Sequence, residues 1–290
     1  MSDPFAAHRL DGKVVVVTGS TQGLGAAIAR RAADLGVAGI VVTGRDRERG
    51  EAVRSELASQ AVFVEADLMD PEACVEIIRA CDERFGRLDG LVNAAGLSTR
   101  GTLDDTTVEL WDRLFAINVR APFLLMQHGA RLMRRSGQGG SVVNIITMAS
   151  HGGEPVLTAY ASSKGALATL TRNAGYSLQP DRIRVNGLNI GWTVTEGEYG
   201  VQAESGAPGD WLTAADANAP LGRLLRPDDI APMVTYLLSD ASQMITGSVI
   251  DFDQNVLGPD GAHVTPESMS SSLYRVGPRK ANLTSGGVEA

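Results

Sequence analysis

Cysteine, histidine and aromatic residues are scarce in this chain of 290 residues, which has two cysteines, four histidines and 5% aromatic residues. Cys74 and Cys81 lie on one predicted helix, where adjacent turns are poorly placed for a disulfide, so we expect two reduced, core-facing thiols. The histidines form no cluster and no HExxH motif, so the sequence predicts no metal site. The low aromatic content disfavours a large, flat aromatic ligand.

Long apolar runs and long basic runs are also missing. No run approaches the length of a membrane span, and residues 1–13 do not resemble a secretion signal, so we expect a cytoplasmic protein. The formal net charge is −8, from 26 basic and 34 acidic residues. Such an acidic surface disfavours nucleic acid and anionic lipid as partners, and a small molecule is the expected ligand.

Short runs rich in Val and Ile alternate with longer helical patterns. The runs predict seven strands, at 14–18, 39–44, 61–66, 88–94, 140–146, 182–190 and 247–253. The helical patterns lie at 23–35, 46–59, 71–85, 121–135, 158–179 and 227–239. This alternation predicts a single α/β domain over residues 10–255, with a doubly wound parallel sheet.

Two segments interrupt the alternation. Residues 191–218 are predicted to form an irregular insert that acts as a mobile lid over a substrate. Residues 256–290 are rich in Gly, Ser and Pro. This C-terminal tail is either a disordered extension or a segment that lies across a neighbouring subunit.

The first predicted strand leads into the glycine-rich segment TGSTQGLG, which contains Gly19, Gly23 and Gly25. Glycines let the backbone approach a pyrophosphate, and the N-terminus of the following helix offers free N–H groups and a partial positive charge. The segment therefore predicts a nucleotide-binding loop, in which we include Thr21 and Leu24.

The second predicted strand ends at Gly44 and is followed by Arg45. In dinucleotide-binding folds an acid at this point binds the ribose 2′-hydroxyl, whereas a nearby Arg accommodates a 2′-phosphate. Gly44 and Arg45 therefore favour NADP as the cofactor, with NAD as the alternative. A solvated Arg at a helix start is the competing interpretation. Asp46 is the expected N-cap of that helix.

Tyr160 and Lys164 are spaced four residues apart on a predicted helix, so they share one face. A nearby cation stabilises a phenolate and lowers the pKa of the phenol, which then exchanges a proton with an alcohol or alkoxide. A half-buried Tyr beside a surface Lys is the alternative interpretation.

The order of several motifs is informative. TGSTQGLG, NAAG at 93–96, Asn118, TAYASSK and ITG at 245–247 occur in one sequence order. Over residues 10–253 this set resembles the short-chain dehydrogenase/reductase family. The resemblance implies a Rossmann-type fold with a seven-stranded parallel sheet, a homotetramer or homodimer, and hydride transfer between a nicotinamide and a carbonyl or alcohol carbon.

The resemblance also implies roles for individual residues. Asn118 matches the residue that holds a water in a proton relay, Tyr160 the acid/base, and Lys164 the residue that binds the nicotinamide ribose and lowers the pKa of the Tyr. Cofactor contacts are implied for Gly19, Gly23, Gly25, Asp67, Leu68, Asn93, Ala94, Gly96, Gly191, Thr193 and Thr195. Structural roles are the alternatives for three of these residues: a turn cap for Asp67, a strand tie for Asn93 and a helix kink for Asn118.

Three positions depart from the family pattern. Thr147 stands where the family has a Ser that orients the substrate oxygen; it keeps the hydroxyl, with Ser150 as the rival. Ile190 replaces a Pro in the usual Pro-Gly. The usual Asp-Gly-Gly reads DQN at 253–255, which predicts side-chain contacts to a partner subunit or to the tail.

The substrate is expected above the nicotinamide. The candidate wall residues are His151, Glu154 and Trp192, with Glu196, Tyr199 and Trp211 from the insert. Polar groups and Trp side chains together favour a hydroxylated small molecule, such as a sugar, sugar acid or polyol. The alternatives are a non-catalytic nucleotide-binding sensor or scaffold and a methyltransferase with a similar glycine loop.

Overall fold

A computed structural model of the chain describes residues 5–57 and 60–255. The strands of its sheet are β1 (Val14–Val17), β2 (Gly39–Gly44), β3 (Gln60–Glu65), β4 (Gly90–Asn93), β5 (Gly140–Thr147), β6 (Ile183–Ile190) and β7 (Val249–Phe252). The helices are α1 (Gly23–Asp34), α2 (Arg47–Glu56), α3 (Pro71–Phe85), α4 (Val108–Phe115), α5 (Ala121–Ser136), α6 (Thr158–Ser177), α7 (Glu196–Glu204), α8 (Trp211–Asn218) and α9 (Pro227–Leu238).

All strand pairs are parallel, in the order β3-β2-β1-β4-β5-β6-β7. The predicted Rossmann-type fold is therefore confirmed. The chain builds outward from β1 to β3 and then returns to the other side of β1 with β4. Ligands of open α/β sheets bind beyond the carboxyl ends of the strands at such a reversal.

Alternate side chains of each strand enter the two cores on opposite faces of the sheet. In β1, Val15 and Val17 pack in the core with α1 and α9, whereas Val14 and Val16 pack in the core with α3 and α5. All four are buried, which explains why β1 reads as a continuous Val run.

The two cysteines are free and buried in the core beneath α3, as predicted. Burial raises the pKa of Cys74 to about 11 and that of Cys81 to about 12. Both side chains are therefore protonated thiols at neutral pH.

The structure differs from the sequence expectation at three helices. The expectation of an irregular segment at 191–218 was wrong, because α7 and α8 lie within it, and α4 was not predicted. Gln202 is the one buried residue of α7, and α8 buries none. Neither helix therefore carries the apolar stripe on which a sequence-based helix prediction depends. The tail, 256–290, lies outside the described residues.

Candidate active site

A cleft of about 570 Å³ opens at the carboxyl edge of the sheet, between the ends of β5 and β6 and the helices α6 and α7. Thr147 is the last residue of β5, and Tyr160 lies in the first turn of α6. Both side chains line this cleft, where the Thr147 hydroxyl acts to lower the pKa of Tyr160. The sequence therefore brings together two hydroxyl groups that can contact one substrate oxygen.

Thr147 and Ser150, the two candidates for the second hydroxyl, differ in position. Thr147 lines the cleft, and its Oγ1 also accepts a hydrogen bond from the backbone of Ala149 at 3.3 Å. The Ser150 hydroxyl instead donates to the Oδ1 of Asn189 at 3.2 Å, and Ser150 does not line the cleft.

Lys164 lies one turn after Tyr160 on α6 and is only 4% exposed. Its Nζ donates a hydrogen bond to the carbonyl of Ile145 at 2.8 Å. Burial lowers the pKa of Lys164 to about 8. The ammonium is therefore anchored on β5, next to Gly96, where an added Cβ would lie 3.3 Å from Nζ.

The expected lowering of the Tyr160 pKa by Lys164 is not found. Burial of the hydroxyl group raises the pKa of Tyr160 to about 12; the hydrogen bond with Thr147 opposes this, and the carboxylate of Glu198 adds to it. The direction differs from the prediction because burial of the phenol dominates and the negative charge of Glu198 on α7 adds to it, while the Lys164 ammonium donates to the Ile145 carbonyl.

Asn118 is fully buried in a single π-helical turn, Ala116–Arg120, that joins α4 to α5. Its Oδ1 accepts from the Leu97 backbone at 2.9 Å, and its Nδ2 donates to the Leu97 carbonyl at 2.9 Å and to Ser163 at 3.0 Å. The side chain thus ties the segment after β4 to α6, beside Tyr160.

The glycine loop is shaped by close backbone approach. Gly19 has φ +64°, and a Cβ there would lie 2.7 Å from the Cα of Ala95. A Cβ on Gly25 would overlap the carbonyl oxygen of Gly19. Only glycine fits both positions, so the turn after β1 stays open for a ligand that approaches the backbone.

The N-terminus of α1 has no side-chain cap, because Gln22 accepts a hydrogen bond from Arg49 instead. Free N–H groups and the helix dipole at this position suit a phosphate. Together with Gly19 and Gly25, this cradle fits the pyrophosphate of a dinucleotide. Leu24 of the same loop lines the cleft that contains Tyr160.

The end of β2 next to this loop is tightly packed. A Cβ on Gly44 would lie 2.5 Å from the Cγ2 of Thr21. Arg45 is exposed, with no hydrogen bond or ion pair among the described residues. Its guanidinium is therefore available to a ligand at the edge of the loop.

Asp67 and Asn93 both have structural bonds. Asp67 accepts a hydrogen bond from the backbone of Met69 at 3.0 Å, as a turn cap. The Nδ2 of Asn93 donates to Asn144 at 2.7 Å, which ties β4 to β5. Asn93 Oδ1 is the one buried side-chain polar atom of the described residues that has no partner. Leu68 lies in the loop after β3, and Ala94 and Gly96 lie in the loop after β4.

Residues after β6 form the opposite wall of the cleft. Gly191, Trp192, Thr193 and Thr195 all line it. The Nε1 of Trp192 donates to Glu198 at 2.8 Å, and its ring stacks on Trp211 at 5.8 Å. The insert thus presents Trp192 to the cleft and holds it from α7 and α8.

Two other candidates differ in position. Glu154 lines the cleft, whereas His151 is not among its lining residues, and substrate contact by His151 stays a prediction. Its Nε2 lies 2.9 Å from Asp251 on β7 and 3.2 Å from Asn189 on β6. Glu196, Tyr199 and Trp211 do not line the cleft either.

Polar residues that the sequence did not reveal also line the cleft: Ser98, Arg100, Glu198, Asp253 and Asn255. The altered segment at 253–255 makes contacts within the chain, because Gln254 bonds to the backbone of Leu221 and Arg223 at 2.7 and 2.9 Å. Asp253 packs closely on Gly191, because a Cβ added to Gly191 would overlap the Oδ1 of Asp253.

Residues 5–57 and 60–255 contain no group of three or more His, Cys, Asp or Glu side chains that could hold a metal ion. None of the helices within these ranges has the length and apolarity needed to cross a membrane.

Comparisons with known proteins agree with this geometry. The family model described as enoyl-(acyl carrier protein) reductase matches residues 19–254. The chain is 33% identical over 244 residues to the NADP-dependent (R)-specific alcohol dehydrogenase of Lentilactobacillus kefiri, covering 83% of this chain and 94% of that protein. It is 32% identical over 252 residues to the sorbitol dehydrogenase of Cereibacter sphaeroides, covering 84% and 97% respectively.

Solved structures give the same result. A dehydrogenase/reductase from Sinorhizobium meliloti superimposes with a TM-score of 0.77 at 34% identity, covering 86% of this chain and 97% of that one. The hydroxyl pair beside an open glycine loop is the arrangement that an NAD(P)-dependent oxidoreductase acting on CH–OH groups requires. The chain therefore belongs to the short-chain dehydrogenase/reductase family.

Proposed function

We propose that this oxidoreductase prefers NADP and interconverts a secondary alcohol and a ketone on a small, neutral, polyhydroxylated molecule. The observation that carries the proposal is the hydroxyl pair of Thr147 and Tyr160 in a cleft with polar walls. The family assignment counts against the methyltransferase, and the presence of Tyr160, Lys164 and Asn118 counts against the non-catalytic sensor or scaffold.

The proton step belongs to Tyr160. With its pKa raised to about 12, the phenol is protonated at neutral pH, so it is ready to donate a proton to an alkoxide that forms during reduction. In oxidation Tyr160 has to be a phenolate before it accepts the proton of the alcohol. Thr147 holds the same substrate oxygen, so it fixes the carbon to which that oxygen belongs.

Lys164 and Asn118 support this step. The Lys164 ammonium, protonated below a pH of about 8, supplies positive charge on the face of α6 that carries Tyr160. Asn118 bonds to Leu97 and Ser163, and the resemblance implies that it would hold a water through which the proton moves onward.

The cofactor site is assigned to the residues that surround the glycine loop. Gly19, Gly23 and Gly25 hold the pyrophosphate with the uncapped start of α1, and Arg45 binds the 2′-phosphate that distinguishes NADP from NAD. A bound nicotinamide dinucleotide supplies the hydride acceptor or donor. Thr193 and Thr195 line the cleft on the side of α7, and Thr195 would hold the nicotinamide amide, as the resemblance implies.

The wall charges favour a neutral substrate. Three carboxylates line the cleft, from Glu154, Glu198 and Asp253, against a single guanidinium from Arg100. A sugar acid would bring a fourth negative charge among them, whereas the hydroxyls of a polyol can donate to them. The sorbitol dehydrogenase among the relatives supports this choice of substrate class.

A rate comparison tests the proposal. The purified enzyme is assayed with sorbitol, galactitol, gluconate and 2-octanol, each with NADP⁺ and with NAD⁺, and Tyr160→Phe is the background control. We expect kcat/KM to be highest for a polyol with NADP⁺ and at least about tenfold lower for gluconate. Turnover of 2-octanol without turnover of either polyol would contradict the proposed substrate class.

We also propose that the enzyme is a homodimer or homotetramer. The support is an exposed apolar surface on neighbouring helices, where Val108 and Trp111 of α4 and Phe123 of α5 are 70%, 39% and 44% exposed. Light scattering coupled to size-exclusion chromatography measures the mass. A monomer at micromolar concentration would contradict this proposal.

A further inference from the structure

A second cleft, of about 750 Å³, lies at the opposite, amino-terminal edge of the sheet. Its lining comes from segments that precede five strands, including Lys13 before β1, Arg87 before β4 and Arg182 before β6. It shares no lining residue with the cleft that contains Tyr160. We call it the basal cleft.

The acidic side chains of the basal cleft are already paired. Asp240 accepts from Lys13 at 2.8 Å, and Asp89 accepts from Arg87 at 2.6 Å. Asp11, the third carboxylate in the lining, is paired with Arg9 at 2.6 Å. Two further guanidiniums in the lining, Arg182 and Arg184, make no ion pair within the described residues.

Arg184 is half-buried and contacts only neutral oxygens. Its guanidinium donates to the hydroxyl of Ser242 at 3.0 Å, to the carbonyl of Ser239 at 3.1 Å and to the carbonyl of Ile245 at 3.5 Å. Burial lowers the pKa of Arg184, and the Asp240 carboxylate opposes this shift without an ion pair. The Arg184 guanidinium therefore has no carboxylate in direct contact among the described residues.

Arg182 is exposed and, like Arg184, donates only to a neutral oxygen. Its side chain makes one hydrogen bond, to the carbonyl of Gly137 at 2.5 Å. Its backbone has φ +57°, the only positive φ of a non-glycine residue within the described ranges. Gln179 and Gln243 also line the cleft, and their side-chain amides have no hydrogen bond among the described residues.

We propose that the basal cleft binds a small anion with several oxygen atoms, either a phosphate or a polycarboxylate. Guanidinium groups match the geometry of such anions, and amide N–H groups can complete the contacts. An anion in this cleft would offset the cost of leaving the half-buried Arg184 without an ion-pair partner, and the exposed Arg182 lies beside it to add a second guanidinium.

Calorimetric titration of the full chain with sodium phosphate and with sodium citrate, at constant ionic strength, tests the proposal. Phosphate and citrate distinguish the two sources of anionic oxygen. The central variant is Arg182→Glu, which reverses one charge at an exposed position. Arg182→Lys keeps the charge at the same backbone conformation. Arg113→Glu, an exposed position on α4 outside both clefts, is the matched control.

We expect at least one of the two anions to bind, with an affinity at least about tenfold lower in Arg182→Glu and within about threefold of the original in Arg182→Lys and Arg113→Glu. An anion held by the glycine loop would bind equally to all four proteins. Equal binding by the wild type and Arg182→Glu, or no binding of either anion up to about 10 mM, overturns the proposal. Neither outcome depends on the substrate or cofactor.

Discussion

The side chains of Thr147 and Tyr160 line one cleft, although Thr147 ends a strand and Tyr160 lies in the first turn of a helix. We expect Thr147→Ser to keep kcat within about threefold, whereas Thr147→Val, which has nearly the same shape, lowers kcat by about 10². Steady-state kinetics measure both. Ser150→Ala is the control and should leave kcat unchanged. A Thr147→Val enzyme as active as Thr147→Ser would remove Thr147 from the site.

Tyr160→Phe removes the proton donor and leaves the ring in place. We expect kcat to fall by about 10² to 10⁴ in both directions of the reaction, since this is the usual contribution of general acid–base catalysis. Thermal unfolding of the variant shows whether its fold is intact. A folded variant with at least a tenth of the wild-type turnover would assign the proton step to another group.

Lys164→Met should stabilise the protein at neutral pH. The pKa of Lys164 is about 8 in the folded chain, against an ordinary value of 10.5 for a solvated lysine. This difference corresponds to about 3 kcal/mol of destabilisation below pH 8, and the lost hydrogen bond to Ile145 costs about 1 kcal/mol. We therefore expect a net gain of about 2 kcal/mol in the free energy of unfolding at pH 7.

The stability difference between Lys164→Met and wild type depends on pH. Between pH 8 and 10.5 the unfolded chain binds more protons than the folded chain at Lys164, so wild-type stability rises with pH in this window. The advantage of Lys164→Met should therefore shrink as the pH rises through the window. Urea unfolding at pH 7 and pH 10 measures it. A variant less stable than wild type at pH 7 contradicts the prediction.

Glu198→Gln should shift the pH profile of oxidation. Burial is the main cause of the raised pKa of Tyr160, and the Glu198 carboxylate raises this pKa further. The Gln side chain keeps an oxygen for Trp192 but removes the charge, so phenolate forms at lower pH. We expect the rising limb of kcat/KM for oxidation to move to lower pH. Glu154→Gln is the control, and an identical profile for Glu198→Gln and wild type counts against this coupling.

Arg45→Gln tests the cofactor preference. Loss of the guanidinium should raise KM for NADP⁺ by about tenfold and leave KM for NAD⁺ within about twofold, because only NADP carries the 2′-phosphate. Gly44→Asp should be poorly tolerated alone, since its Cβ would lie 2.5 Å from Thr21. The double variant Thr21→Ala, Gly44→Asp should favour NAD⁺. Equal changes for both cofactors in Arg45→Gln would contradict the assignment.

Local sequence patterns predict the parts of the site that depend on local geometry. The glycine loop follows a buried strand. Gly25 packs closely on Gly19, and because the two residues are near each other in the sequence, the glycine spacing predicts this contact. The spacing of Tyr160 and Lys164 places both on one helical face. The seven strands are readable because parallel strands buried on both faces are continuous apolar runs.

Other features depend on contacts between distant segments. The Lys164 ammonium is directed by a carbonyl on β5, and the charge that acts on Tyr160 comes from Glu198 on α7. Because α7 has no apolar stripe, no periodicity marked Glu198 as facing the cleft. His151 has the residue type of a substrate ligand, but the ends of β6 and β7 offer it closer partners in Asn189 and Asp251.

The buried state of Cys74 and Cys81 has a practical consequence. Protonated thiols enclosed in the core react slowly with maleimides and with hydrogen peroxide. A cysteine introduced at the exposed Ala203 of α7 can therefore carry a fluorescent dye without removal of the native pair. The dye would report directly on movement of the wall that holds Trp192 while the enzyme turns over.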